Sequence, residues 1–190
     1  MKKLSLVLSV LAIVALTFSA NAQTMKVDVA NSSVAWVGKK VAGQHNGDIK
    51  IKSGSLNLDG DKLTGGTIVI DMTTINTLDL EGKSKGGLET HLKSDDFFGV
   101  NNYPTAEIVI TKAVPQGPGK YKITGDLTIK GTTKQIKFNA SMSGNTATAD
   151  LVVDRSEFNI RYGSGSFFDD LGDKTIYDDF ELSVSLALIK

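Results

Sequence analysis

The sequence predicts an all-β protein, an antiparallel barrel of about eight strands. Most of the chain after residue 22 alternates apolar and polar residues with a period of two, as strands with one buried and one solvated face do. Short turn sequences separate these stretches, and the length of the strands favours a barrel over a sandwich. The interior of such a barrel is either filled by side chains or holds one small ligand.

The first 22 residues have the pattern of a secretory signal peptide. Two lysines precede a short apolar run, Leu4 to Phe18, and Ala20-Asn21-Ala22 is a small-x-small cleavage site. A retained N-terminal anchor is the alternative interpretation. We therefore expect residues 1–22 to be removed and residues 23–190 to form one domain with no transmembrane segment. The expected location, after cleavage near Ala22, is periplasmic or secreted.

Composition narrows the classes of protein that the chain can belong to. There is no cysteine, which excludes a disulfide framework and a lipid anchor on cysteine. Residues 23–190 carry 19 basic and 21 acidic side chains, and these are interspersed along the chain. We therefore expect no basic face and no nucleic acid partner.

The alternating stretches, taken in order along the chain, predict the strands. Each places its larger apolar side chains on one face: residues 49–58, 66–72, 106–112, 121–130, 134–142 and 181–190. In the first stretch the apolar phase changes at Ser53-Gly54, which predicts a β-bulge or a corner that curls the strand around a barrel. Turn sequences at 58–62, 130–134 and 143–145 predict hairpins.

Two long segments, residues 76–104 and 155–174, lack this alternation. A short helix is predicted between Leu78 and Leu92, although the glycines there weaken the prediction. Loops of this length in a compact domain are usually lids or packed Ω-loops. Aromatic residues gather in or beside both segments, where they would plug the barrel end or line an apolar cavity: Phe97, Phe98, Tyr103, Phe158, Tyr162, Phe167, Phe168 and Tyr177.

Asp95 and Asp96 are the carboxylates that a catalytic interpretation would use. Adjacent residues in an extended chain point in opposite directions, whereas a glycosidase pair flanks one bond at a defined separation. Glu107 or Glu157 could serve as a distant partner, but the spacing selects neither. The sequence therefore favours a turn-capping role for Asp95 over a hydrolase.

Metal binding receives little support from the sequence. Residues 169–179 contain five aspartates, but their spacing does not fit a calcium-binding EF-hand loop. Calcium binding by this loop stays open beside the simpler interpretation of a solvated acidic loop. Two histidines without cysteines argue against zinc; we expect His45 to hydrogen-bond a strand end and His91 to pack beside Leu92.

The ordered set of motifs resembles the YceI-like family of polyisoprenoid-binding proteins. The motifs are SVAWVGKKVAGQHNGDIKIKSGSL, GGTIVIDMTTI, HLKSDDFFGVNNYPTAEIVIT, YKITGDLTIKGTTKQIKF and VVDRSEFNIRYGSGSFFDDLGDKTIYDDFELSVSL. They cover essentially the whole chain after the signal peptide. The chain departs from the family at Gly99, where an acidic residue often follows the two phenylalanines.

The resemblance implies a lipocalin-like barrel with an internal apolar tunnel and one or two short helices in loops. The tunnel would hold an isoprenoid lipid, such as a polyprenyl chain or a quinone tail, with no cofactor and no catalysis. Arg155 is expected to tie a loop carboxylate, with contact to a ligand head group as the alternative. The candidate ligand-binding residues are Trp36, Ile68, Ile70, Phe97, Phe98, Tyr103, Ile108, Ile110, Ile123, Leu127, Phe138, Phe158, Phe167, Phe168 and Val184.

Three functions compete at this point. The first is a carrier of an isoprenoid lipid or another long apolar amphiphile, and the second is a hydrolase that uses Asp95 or Asp96. The third is a filled barrel that acts as a stress or interaction module without a ligand. The loop aromatics favour the first over the second, whereas only the resemblance separates the first from the third. A homodimer is compatible with the sequence, which carries no signal for it.

Overall fold

The computed structural model describes residues 22–189, which form eight strands, one α-helix and two 3₁₀ turns. The strands are β1 (Ala22–Lys40), β2 (Gly43–Asp59), β3 (Lys62–Thr77), β4 (Thr105–Gly117), β5 (Lys120–Ile129), β6 (Thr132–Ser143), β7 (Thr146–Asp154) and β8 (Ile176–Ile189). The helix α1 (Gly82–Lys93) joins β3 to β4, and the 3₁₀ turns (Arg155–Phe158 and Gly172–Lys174) lie between β7 and β8. Residues 1–21, which hold nearly all of the predicted signal peptide, lie outside the described residues.

Every strand pairs antiparallel with its sequence neighbours, and β8 pairs with β1, so that the sheet closes into a barrel. The predicted all-β fold, an eight-stranded antiparallel barrel, is therefore confirmed. The three predicted hairpins are present, with turns after Asp59, Ile129 and Ser143. Within the described residues, closure leaves no free sheet edge except where one pair of strands separates, as described below.

β2 bends at the predicted corner. Its pairing with β3 shifts register between Ile51 and Ser53. A Cβ atom at Gly54 would lie 2.8 Å from Ile68 Cδ1 and 2.9 Å from Val27 Cγ2, so glycine permits this close approach. The shift explains why apolar residues before and after the bend both face the core although their sequence phase differs.

Side chains fill the end of the barrel where the β2–β3, β4–β5 and β6–β7 hairpins turn. Tyr121, 5 % exposed, lies there beside Leu63. Its hydroxyl accepts a hydrogen bond from the Leu63 N–H at 3.3 Å and donates to the Asp61 carbonyl at 3.2 Å. Because a buried hydroxyl is costly without partners, these bonds let an aromatic ring close this end. The open space of the barrel therefore lies towards the other end.

α1 forms across the opposite end, as predicted, in spite of its glycines. Two polar contacts hold it to the end of β3: Glu89 Oε1 accepts from the Thr77 N–H at 2.9 Å, and Lys85 Nζ donates to Asn76 Oδ1 at 2.7 Å. These tertiary contacts stabilise a segment whose own helix propensity is low. Within residues 22–189, neither α1 nor either turn is long and apolar enough to cross a bilayer.

β6 and β7 separate along half of their length. They pair only from Asn139 opposite Asp150 to Ser143 opposite Thr146, whereas β6 pairs with β5 from end to end. We call the separated stretches, 132–138 of β6 and 151–154 of β7, the β6–β7 seam. Phe158 of the first 3₁₀ turn is fully buried behind it. At its apex lies a surface cavity of about 490 Å³ bordered by both strands.

Candidate functional site

An apolar cavity of about 150 Å³ lies inside the barrel, beneath α1 and the two long loops. A cavity of this volume in a protein core can hold a molecule the size of benzene. Its wall is almost entirely carbon. The lining residues come from six strands, from α1 and from the loops: Val34, Trp36, Gly38, Ile49, Ile70, Met72, Ile75, Leu92, Phe97, Phe98, Ala106, Leu127, Ile129, Arg155, Ile176, Tyr177, Asp179, Phe180 and Leu182.

Trp36 forms part of the wall from the inner face of β1. The residue opposite it on β2 is Gly47, and a Cβ atom there would lie 2.5 Å from the indole ring. The absence of a side chain at Gly47 therefore allows the ring to lie flat against the neighbouring strand. The indole N–H donates to the Asp48 carbonyl at 3.2 Å, which fixes the orientation of the ring. Trp36 is the only tryptophan in the chain.

Phe97 and Phe98 cover the cavity from the loop that follows α1. A tight turn places them: the N–H groups of Phe97 and Gly99 both donate to the Ser94 carbonyl, at 3.0 and 2.7 Å. Gly99 has φ +59°, which glycine adopts without strain. The two rings meet edge to face with centroids 5.0 Å apart. Phe97 is 7 % exposed, so the pair forms a packed apolar cover.

Asp95 and Asp96 lie on the outer side of the same turn, and both are exposed. The Asp95 carbonyl accepts from Lys130 Nζ at 2.7 Å, and its carboxylate accepts from Asn102 at 3.4 Å. Neither aspartate lines the cavity. The two halves of the sequence DDFF therefore have different roles, since the acids hold the turn in water and the phenylalanines face the interior.

Arg155 fixes the second long loop over the cavity. Its guanidinium, 2 % exposed, donates to the carbonyls of Ile160, Tyr162, Ile176 and Tyr177 at 2.9–3.2 Å. Nη2 also lies 3.2 Å from Asp178 Oδ1. Burial lowers the pKa of Arg155, and the nearby carboxylates of Asp178 and Asp154 oppose this shift.

In these contacts the N–H groups of the guanidinium donate to atoms of the protein itself. The Arg155 guanidinium also lies 5.4 Å from the centre of the Phe97 ring, so it links the second loop to the phenylalanine cover. The sequence predicted that this arginine ties a loop carboxylate; its partner Asp178 lies at the start of β8, and the contact agrees with the structural role that the sequence favoured. Its donors are not directed at an approaching head group.

His45 and Asp79 join the first hairpin to the chain that enters α1. His45 Nδ1 lies 2.8 Å from Asp79 Oδ2, and Asp79 Oδ1 accepts from the Asn46 N–H at 2.9 Å. Burial acts to raise the pKa of Asp79, but the hydrogen bonds from Asn46 and His45 and the charge of His45 hold it below its usual value. The sequence predicted that His45 would hydrogen-bond a strand end, whereas its partner is the carboxylate of Asp79, in the segment between β3 and α1.

The structure brings together five of the fifteen residues that the sequence predicted for the ligand site. Trp36, Ile70, Phe97, Phe98 and Leu127 line the cavity. Three more, Ile68, Ile123 and Phe158, are buried in the packed core, and four are half-buried against it: Ile108, Ile110, Phe138 and Val184. The ligand-binding role of all of them stays a prediction.

The remaining three predicted residues do not face the interior. Tyr103, Phe167 and Phe168 are 39 %, 41 % and 50 % exposed. Phe167 packs against the Arg161 guanidinium at 4.7 Å on the surface, and Tyr103 lies against Gly131. None of the three lines the cavity, since aromatic content in a loop does not indicate the direction of each ring, and their ligand-binding role stays a prediction.

Several lining residues were missed by the sequence reasoning. Met72, Ile129 and Leu182 share the inward phase of residues that were predicted, so the alternation itself could have found them. Leu92 of α1 and Tyr177 at the start of β8 lie in or beside the segments without alternation, so alternation did not indicate that they face the cavity. Within residues 22–189, the aspartate-rich loop 169–179 included, no group of three His, Cys, Asp or Glu side chains is close enough to hold a metal ion.

Comparison with known proteins identifies a family model, relatives and solved structures that are similar to this chain. A model of the YceI-like domain matches residues 25–188. The chain is 29 % identical over 150 residues, 76 % of each chain, to a UPF0312 protein of Vibrio cholerae. It resembles the crystal structure of Burkholderia cenocepacia BcnA, with a TM-score of 0.69, 26 % identity and coverage of 86 % of this chain and 99 % of BcnA.

A second solved structure shares the fold at lower sequence identity. This is a polyisoprenoid-binding domain from Saccharophagus degradans, with a TM-score of 0.60, 13 % identity and coverage of 87 % of this chain and 97 % of that domain. The structural similarity shows a common barrel, and the low identity leaves the wall residues of the two proteins free to differ.

Proposed function

The chain belongs to the YceI-like domain family, and from this we propose that it binds the apolar chain of an isoprenoid lipid inside its barrel. The observation that carries the proposal is the cavity under Phe97 and Phe98, whose wall is almost entirely carbon. Such a site suits an apolar chain, because the polar atoms of Arg155, Tyr177 and Asp179 contribute almost nothing to the surface of the wall. The polyisoprenoid-binding domain of Saccharophagus degradans, which shares the fold, supports the choice of ligand class.

In this proposal the protein acts as a carrier and not as an enzyme. Asp95 and Asp96, the carboxylates that a catalytic interpretation would use, are exposed, and neither they nor the possible partners Glu107 and Glu157 line the cavity. Within the proposal, the protein is exported and acts in the periplasm or outside the cell. Fractionation of cells that produce the full chain tests this part, because retention in the cytoplasm would contradict it.

The size of the cavity limits how much of the ligand it encloses. Each buried methylene contributes about 0.8 kcal/mol, so one five-carbon isoprene unit contributes at most about 4 kcal/mol before ordering costs. Association itself costs about 4–15 kcal/mol. A cavity of about 150 Å³ encloses too few carbons to overcome the upper part of that range. Firm binding therefore needs further apolar contact along the half-buried inner faces of β4, β6 and β8.

The direct test is native mass spectrometry of the purified protein, followed by organic extraction and mass analysis of the extract. A stoichiometric mass excess that extracts as a polyprenyl chain or quinone supports the proposal. An extract of another long amphiphile, such as a fatty acid, would retain the carrier and replace the ligand class. A clean apo mass after expression in a host rich in isoprenoids would favour the filled barrel.

A pair of phenylalanine variants tests whether the ligand occupies this cavity. Phe98→Asp places a carboxylate in the cavity wall, where a bound chain must desolvate it, and we expect at least about a tenfold loss of bound lipid. Phe168→Asp is the matched control, because Phe168 is 50 % exposed and outside the wall. Equal lipid retention in both variants would place the ligand elsewhere. Circular dichroism checks that both variants keep the barrel.

A further inference from the structure

Positive charge is concentrated in one part of this nearly neutral chain. Residues 108–149 contain six lysines, no arginine and a single acidic residue, Asp126. The rest of residues 23–190 carries 13 basic and 20 acidic side chains. Residues 108–149 comprise most of β4, all of β5 and β6, and the first four residues of β7. Three adjacent strands of the barrel wall are thus basic, and the remaining wall and loops are acidic.

The strand register gathers these lysines on the outer face. Thr124 of β5 stands opposite Lys112 of β4 on one side and Lys137 of β6 on the other. Lys122 lies two residues before Thr124 on the same face, and Lys120 two residues before that. The backbones of neighbouring strands are about 4.8 Å apart, so the Cα atoms of Lys112 and Lys137 are roughly 10 Å apart, with Thr124 between them. We call these four exposed residues, Lys112, Lys120, Lys122 and Lys137, the lysine face.

The lysine face carries charges that the rest of the described chain leaves free. None of the four lysines forms an ion pair with a residue in 22–189. The acidic groups nearest in register are Asp126, which lies opposite Gln135, and Asp150, which accepts a hydrogen bond from Ser183. The expectation from net charge that the protein has no basic face was therefore wrong. The basic face becomes visible only when β4, β5 and β6 are set in register, and net charge does not report this.

Exposed apolar side chains lie among these lysines. Val114 stands opposite Lys122, Val109 lies farther along β4, and both are more than a third exposed. Val152, on the β7 side of the β6–β7 seam, is 64 % exposed. Lysine carries a point charge on a long apolar stem, and it suits diffuse attraction to an anionic surface better than paired recognition of one group. Lysines mixed with exposed valines on a broad surface fit a lipid head-group layer.

We propose that the lysine face docks this protein onto the surface of an anionic phospholipid bilayer. Charge complementarity supplies the attraction, and Val109, Val114 and Val152 supply apolar contact at the depth of the head groups. Docking in this orientation brings the β6–β7 seam, whose apex includes Lys137 and Val152, to the membrane. Exchange of a cavity lipid with the bilayer at the seam rests on the proposed function, whereas the docking itself does not.

The test is co-sedimentation of the full-length mature protein with vesicles of phosphatidylglycerol and phosphatidylcholine in equal parts. We expect binding at low salt, a large decrease at high salt, and none to pure phosphatidylcholine vesicles. Each lysine near an anionic surface contributes about a fivefold increase in partitioning, so Lys112→Gln, Lys122→Gln and Lys137→Gln together should weaken binding by about a hundredfold.

The matched control is the triple variant Lys26→Gln, Lys50→Gln and Lys52→Gln. It removes the same charge from exposed positions on β1 and β2, on the acidic part of the wall. Equal weakening in both triple variants would show an effect of net charge and overturn the proposal. Absence of binding to anionic vesicles at low salt would also overturn it, as would lysine-dependent binding to duplex DNA without vesicle binding.

Docking and cavity binding are separated by their measurements. Sedimentation reports the contact with vesicles, and lipid extraction reports the occupancy of the cavity. A protein that binds vesicles but yields no extracted lipid contradicts the carrier function and leaves the docking surface intact. A protein that yields a lipid but ignores anionic vesicles contradicts the docking surface alone.

Discussion

At the scale of single residues, Arg155 holds the second long loop in place over the cavity. It is buried, and it donates hydrogen bonds to four backbone carbonyls. An unpaired buried polar group costs about 1–3 kcal/mol, and removing one partner of a buried ion pair costs about 3–5 kcal/mol. We therefore expect Arg155→Leu to lower the free energy of unfolding by several kcal/mol, about 4 kcal/mol, measured by urea denaturation.

Two other substitutions establish the cause of that loss. Arg155→Lys keeps the charge but cannot reach several carbonyls with one ammonium group, so it should recover only part of the stability. Arg161→Leu removes an exposed arginine that bonds Asn159 and packs on Phe167, and it should cost less than about 1 kcal/mol. A similar loss for Arg155→Leu and Arg161→Leu would contradict the assigned role of Arg155.

Asp79 makes a pH-dependent contribution at the base of the helix that covers the cavity. Its pKa in the folded protein is lowered, so its contribution to stability is present above the unfolded-state pKa of about 3.9 and is lost as the pH falls through the folded value. Asp79→Asn should therefore lower the free energy of unfolding at neutral pH, by about 1 kcal/mol. The difference from the wild type should shrink as the pH falls below about 3.9.

The measurement is urea unfolding of both proteins across the acid range. Asp96→Asn serves as the control, because Asp96 is an exposed acid for which the described residues show no side-chain hydrogen bond. A difference for Asp79→Asn that stayed constant into the acid range would assign its effect to shape and not to ionisation.

At the scale of elements, α1 keeps glycines that weaken it. Gly86 and Gly87 are exposed, and a Cβ atom at either would meet nothing within 4 Å. Alanine is favoured over glycine inside a helix by about 1 kcal/mol, so Gly87→Ala should raise the free energy of unfolding by about that amount. Gly82, at the start of the helix, has φ +55°, and Gly82→Ala should instead lower it by about 1 kcal/mol.

Thermal unfolding of the two alanine variants decides between these effects. The midpoint should rise for Gly87→Ala and fall for Gly82→Ala. A fall for both variants would mean that α1 must bend or open, and would connect the glycines to ligand entry. A rise for both would contradict the left-handed conformation of Gly82.

Strands and turns were predictable from the sequence, whereas the direction of loop side chains was not. Alternation fixes which face of a strand is buried, and this located Ile70 and Leu127 in the wall. The Ser53-Gly54 corner was also predictable, because the apolar phase reverses there. In the loop after β7 no period applies, and side-chain directions follow from the bonds of Arg155 to distant carbonyls. The direction of the Phe167 and Phe168 rings could not be predicted from the sequence for this reason.

At the scale of the whole molecule, features from separate strands combine in ways that no single segment reveals. The lysines of β4, β5 and β6 become one face only after three strands are set in register. The β6–β7 seam likewise depends on where pairing stops, at Asn139 opposite Asp150, and not on the composition of either strand. The barrel thus has one packed end, one apolar cavity under a cover, and a basic wall beside an incomplete strand pair.

The incomplete pairing bears on how long a ligand the barrel can hold. If the ligand extends from the cavity along the half-buried inner faces, affinity should rise with every added isoprene unit beyond those that fill the cavity. Each unit can add at most about 4 kcal/mol, so even a third of this gives about a tenfold increase per unit. A ligand confined to about 150 Å³ would instead reach a plateau after the shortest chains.

Fluorescence of Trp36, which is the only tryptophan and lines the cavity, reports binding directly. Titration with prenyl alcohols of increasing length should give dissociation constants that fall steadily along the series. Linear alcohols of equal carbon number are the matched ligands, since they bury similar apolar area without the methyl branches. Tighter binding of the prenyl series selects the isoprenoid chain, and equal affinities would make the barrel a general carrier of apolar chains. Constants that do not change with length in either series would contradict binding along the inner faces, because apolar burial must then be the same for every ligand.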